Sequence, residues 1–121
     1  MSKINIKAKT KSKEENHEFK GKAIKNGSSI SYIDGEVKTK IILDDTIKII
    51  RIKDYLIELN FKENSILKGK YKTPFGYFDL ETETLNIEKS ANKIKIKYKL
   101  IIDKQIIDTF EYILDFSIDS L

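Results

Sequence analysis

Few residues of this chain could do chemistry. Arg51 is the only Arg beside 22 Lys. It continues the alternation of Ile47 and Ile49, so if their face is an interior one, a planar cation sits inside the protein. There it needs a carboxylate, inner-shell water or an acidic ligand. The other reading is a strand that twists at its end and gives Arg51 to solvent near Asp54. Tyr71, Thr73, Phe78, Thr82, Thr84 and Tyr98 form a second set, aromatic bodies with a few hydroxyls, the lining that suits a small amphipathic molecule. Plain core packing suits the same residues, and the large size of several favours it.

Other chemistries are excluded or weakly provided for. With no cysteine, catalysis by cysteine, thiolate metal sites and disulfides are out. The single histidine, His17, leaves no room for a histidine-based metal cluster, and between Asn16 and Glu18 it reads as a solvated residue rather than a general base. Asp79, Glu81 and Glu83 alternate in opposite phase to Phe78 and Leu80. They read as outer partners of the lysine comb at 93–99, as cross-strand pairs. No catalytic constellation emerges, so neither an enzyme, a metal nor a cofactor is expected.

The formal net charge of +4 suggests nucleic acid, but its distribution argues otherwise. Residues 1–60 carry 13 basic and 9 acidic groups, whereas 61–121 carry 10 of each. Bidentate contacts to phosphate and guanine call for Arg, and this chain is built on Lys. Nucleic acid is therefore not an expected partner. Residues 1–7 hold no apolar run of signal-peptide length, and no stretch approaches the ~20 apolar residues of a membrane span. A cytoplasmic location without a membrane partner is the default expectation.

The elements that must position these residues follow from period-two alternation, the strand signal. Ile4, Ile6 and Ala8 share one face against Lys3, Lys7 and Lys9, and Phe19, Gly21 and Ala23 follow. Asn26-Gly27 predicts a type I′ hairpin turn, with a return strand at 29–34 centred on Tyr32. Asp34-Gly35 makes the next turn, Val37, Thr39, Ile41 and Leu43 come into phase, and Asp44-Asp45 turns the chain into 46–53. Tyr55, Ile57, Leu59 and Phe61 alternate next. Leu67, Gly69, Tyr71 and Thr73 follow a polar loop. Thr73-Pro74-Phe75-Gly76 has the form of a type I turn.

Beyond that turn, Phe78, Leu80, Thr82 and Thr84 share a face. The phase then shifts to Leu85 and Ile87, as a bulge would require. Ile94, Ile96, Tyr98, Leu100 and Ile102 point inward opposite the lysine comb. Asp103-Lys104 is a two-residue turn. The run 105–119 sets Ile106, Phe110, Tyr112, Leu114, Phe116 and Ile118 on one face, interrupted by Asp108. Only 11–16 and 86–92 leave room for a helical turn. About ten short strands joined by tight turns, without βαβ spacing or long crossovers, predict an all-β fold. It is one antiparallel up-and-down barrel of eight to ten strands, a single domain over residues 1–121.

The stretch from Tyr71 to Gly76, with Phe78 and Thr82–Leu85, resembles the DUF1934 family, the YwiB-like bacterial proteins. Lys25-Asn26-Gly27 with Ile30 and Tyr32, Val37-Lys38-Thr39, the strand ending in Arg51, and Lys95–Leu100 extend the resemblance over about residues 3 to 118. It implies a calycin-like barrel related in architecture to lipocalins, from a low-GC Gram-positive or similar bacterium, and no activity. One departure stands out: the family pattern has a Gly two residues after the Arg, where this chain has Lys53. The expected function is binding of a small amphipathic ligand in the barrel interior or mouth. The alternative is a filled barrel acting through protein contact or homodimerisation at its outer face.

Overall fold

In a computed structural model, which describes residues 1–118, the alternating runs become twelve antiparallel strands in one sheet. They are β1 (Ser2–Lys11), β2 (Asn16–Asn26), β3 (Ser29–Asp34), β4 (Val37–Leu43), β5 (Ile47–Ile52) and β6 (Leu56–Phe61), then β7 (Ile66–Lys68), β8 (Lys70–Thr73), β9 (Gly76–Phe78), β10 (Leu80–Lys89), β11 (Lys93–Ile102) and β12 (Gln105–Ile118). No helix forms among the described residues, neither at 11–16 nor at 86–92. Residue 119, the expected end of the last run, and the side chain of Ile118 lie outside the described part.

From β1 to β6 and from β10 to β12 each strand pairs with its sequence neighbour, and β12 pairs with β1. The circuit is completed by residues 66–83. Tyr71 faces Phe78 and Leu67 faces Thr82, one register on both sides of Gly69, whose N–H donates to the Leu80 carbonyl at 2.9 Å. β7–β8 and β9–β10 are thus two runs, each interrupted once, and the twelve strands form ten runs. The first of these runs also pairs with β6 through Ile57 and Tyr71. Asn60 ties β6 to it by donating to the Lys68 carbonyl at 2.9 Å. Following the hydrogen bonds around the sheet returns to its start, which is the expected up-and-down barrel.

The turns obey local chemistry with one shift of register. Asn26 pairs with Ser29, so the hairpin loop is Gly27-Ser28 rather than Asn26-Gly27. Gly27 has a φ of 60°, while Ser28 stays out of the positive region. Glycine at the first central position is the type II′ pattern, which replaces the expected type I′ turn. At Asp103-Lys104 both residues have positive φ, 49° and 66°, the type I′ geometry. Lys53 has no positive φ, so the glycine of the family pattern is not required there.

Two bulges re-phase the last strands. Thr84 faces Tyr98 but Asn86 faces Lys97, leaving Leu85 as the extra residue; it is exposed, not inward as its phase suggested. Leu100 faces Asp108 but Ile101 faces Ile106, so Ile107 is extra and Ile106 points outward. Of the expected partners of the lysine comb, Glu83 faces Lys99 across β10 and β11, while the ion pairs given by Lys95 run to Glu88 at 3.8 Å and to Glu111 at 3.7 Å.

The barrel is filled at one end. Around the loops 27–28, 44–46, 62–65 and 90–92 the interior is packed by Ile4, Ile30, Ile41, Ile47, Phe61, Ile94 and Leu114, all buried. A fully buried side chain of this size contributes about 1.5–3 kcal/mol. The other end, under the loops 12–15, 35–36, 53–55, 74–75 and 103–104, is where the interior opens.

Candidate functional site

A cavity of about 480 Å³ occupies that open end. Its wall follows from register. Tyr32 faces Thr39, Thr39 faces Arg51, Arg51 faces Ile57 and Ile57 faces Tyr71, one inward row across β3, β4, β5, β6 and β8. From the opposite wall come Tyr98, Phe110 and Tyr112, and Tyr98 faces Phe110. Space remains because Ala8, Val37 and Thr39 hold places that Ile and Phe fill lower down.

β5 runs through to Ile52 without a bulge, so strict alternation carries Arg51 inward with Ile47 and Ile49. The reading in which it turns to solvent near Asp54 is thereby replaced. Arg51 is half-buried and its guanidinium carbon stands 5.8 Å from the centre of the Tyr112 ring, a cation–π arrangement. Its charge also acts on the Tyr98 phenol, opposing the rise that burial causes there. Among the described residues no carboxylate lies within ion-pair distance of it.

The other residues singled out above separate. Tyr71 and Tyr98 line the cavity with Arg51, whereas Thr73, Phe78, Thr82 and Thr84 do not. Thr73 instead holds the hairpin turn, its hydroxyl accepting from the Phe75 N–H at 3.1 Å and donating to the Gly76 carbonyl at 3.2 Å. Phe78 is 40% exposed and leans on Tyr71 with ring centres 5.3 Å apart. Thr82 and Thr84 are buried in the packed interior, Thr82 donating to the Asn60 carbonyl.

The comparisons agree with this architecture. The model of the family described as "Domain of unknown function (DUF1934)" matches residues 2–114. The chain belongs to the DUF1934 family. A crystal structure of the YwiB protein from Bacillus subtilis superposes with a TM-score of 0.65 at 17% identity, over 98% of this chain and 91% of that one. This likeness is one of fold. Among curated proteins none matches the chain.

In this DUF1934 barrel the polar part of the cavity is richer than the sequence suggested. The Tyr32 and Tyr112 hydroxyls lie 3.0 Å apart, joining β3 to β12, and the Tyr32 ring stacks on Phe19. Burial pushes the Tyr112 phenol well above its ordinary range, and its coupling to Tyr32 adds to this. Burial also raises Tyr32 and Tyr98, opposed in part by the Tyr112 hydrogen bond at Tyr32 and by the Arg51 charge at both. Near the mouth, His17 Nε2 and Asp34 Oδ2 are 2.6 Å apart, with Glu15 beside them on the lining. The solvated histidine of the sequence reading is thus exposed but paired. Tyr32 and Tyr112 carried a signal, alternation onto the inner face, but nothing local placed them opposite Arg51. Chemically, the cavity offers a fixed cation among phenols, with Leu59, Leu80 and Leu100 as apolar lining.

Proposed function

We propose that this barrel binds a small amphipathic molecule in its open-end cavity, with an anionic head on Arg51 and an apolar body toward Leu59 and Leu80. The observation carrying this reading is the half-buried guanidinium without a carboxylate partner among the described residues. Taking a cation out of water is costly unless it is paired. Phenol rings and hydroxyls compensate in part, and an anionic ligand completes the compensation. The volume of about 480 Å³ is in the range of small-ligand sites, roughly 300–1,000 Å³. On this reading the protein is a binding protein and not an enzyme.

The test uses an anionic fluorescent amphiphile, anilinonaphthalene sulfonate, beside an uncharged naphthalene analogue. Hydrogen bonds to charged groups contribute about 1.5–3 kcal/mol, so Arg51→Gln weakens the sulfonate roughly ten- to a hundredfold and leaves the uncharged analogue unaffected. Equal loss of both probes, or loss of neither, overturns the assignment of the head group to Arg51.

A further inference from the structure

We infer that the outer face of β2–β5 is a docking surface for an acidic, apolar segment of a partner polypeptide. The observations are independent of the cavity ligand. A groove of about 610 Å³ lies on this face. Four isoleucines line it, Ile24, Ile33, Ile50 and Ile52, of which Ile33 is 59% and Ile52 41% exposed. Exposed β-branched residues gathered on one sheet face mark a contact surface more often than isolated ones do.

Among the described residues the charge on the groove is of one sign: Lys3, Lys22, Lys38 and Lys40 line it and no carboxylate does. Lys3, Lys38 and Lys40 have no ion-pair partner among the described residues. Register interleaves the two kinds: Lys38 lies between Ile33 and Ile52, and Lys40 faces Ile50. An occupant that satisfies both must carry apolar side chains with carboxylates beside them.

The main chain favours a polypeptide over a lipid. Ladder pairing between β2 and β3 stops at Ile24 and Ser31, although β3 continues to Asp34 and β2 begins at Asn16. Beyond Ser31 the side of β3 that faces β2 therefore lacks a strand partner among the described residues, the edge that an extended peptide uses in strand addition.

Selection of a displayed random-peptide library on the whole protein tests this. Enriched peptides combine Asp or Glu with branched apolar residues. Their affinity falls with rising salt. It drops at least tenfold in Lys38→Glu/Lys40→Glu and in Ile33→Ser, and is unchanged in Arg51→Gln, which separates this surface from the cavity reading. No enrichment, enriched peptides without acids, or binding that survives the groove variants overturns the inference. So does groove-dependent binding of phosphatidylglycerol vesicles in place of peptides, or self-association in sedimentation that Ile33→Ser abolishes.

Discussion

Thr82 and Thr84 stand two residues apart on the inner face of β10, both buried, with opposite circumstances. The Thr82 hydroxyl donates to the Asn60 carbonyl, while the Thr84 hydroxyl has no partner among the described residues. A buried polar group left unmatched costs about 1–3 kcal/mol, and a made hydrogen bond contributes about 1. Thr84→Val is therefore expected to stabilise the protein by about 1 kcal/mol, and Thr82→Val to destabilise it by about 1–2 kcal/mol. Urea unfolding reads both, as midpoint shifts at unchanged slope; a destabilised Thr84→Val would show that this hydroxyl is satisfied. The pair also shows how far a site is legible residue by residue. Alternation places Thr82, Thr84, Tyr98 and Arg51 on the inner face. It does not tell the filled half of a barrel from the open half, because that depends on which strands meet at each level around the ring. Tyr112 stayed hidden among plausible core residues for this reason: its place beside Arg51 joins two strands remote in sequence.

Among the elements, closure rests on the run that holds Gly69. A Cβ there would fall on the Glu58 carbonyl oxygen of β6 and come within 2.7 Å of the Leu80 side chain. Gly27 differs: its φ is +60° and nothing lies within 4 Å of an added Cβ. Gly27→Ala is expected to cost about 1 kcal/mol from conformational strain alone. Gly69→Ala, forcing two main chains apart, is expected to cost about 3 kcal/mol or more. Thermal unfolding of both variants decides; similar melting temperatures would mean that the seam at Gly69 yields freely. Nearly every strand was legible from alternation, because an antiparallel barrel has one wet and one dry face. The bulge in β10 was legible as a phase shift, with Leu85 itself the extra residue; the one at Ile107 was not. Ile106 follows from counting twos, and one extra residue in a strand reverses every assignment beyond it. Asp108, the polar interruption of an apolar face, marked one of those places.

For the whole molecule, the consequence of a tyrosine-lined interior is a weakness toward alkali. Burial raises Tyr32, Tyr98 and Tyr112 above the ordinary value of 10.0. Below about pH 10 these phenols are protonated in both folded and unfolded chains and contribute nothing to pH dependence. Above it the unfolded chain releases their protons while the folded chain keeps them, so the unfolded state is favoured as pH rises. Each such group lowers stability by about 1.4 kcal/mol per pH unit, until the pH reaches its folded pKa. The three together give a slope of at most about 4 kcal/mol per unit. Unfolding followed by near-ultraviolet circular dichroism should therefore coincide with the phenolate absorbance of these three, isolated by difference against the single Tyr→Phe variants. Phenolate appearing while the dichroism stays native would mean that the cavity admits water freely at its base. Arg51 opposes the rise at all three positions, so Arg51→Gln pushes their folded pKa values higher still and extends the decline to higher pH. The same variant removes an unpaired cation from the interior and so leaves neutral-pH stability unchanged or raised. One substitution thus moves the alkaline limb of the stability curve without lowering its plateau, an outcome that general loosening of the barrel would not produce.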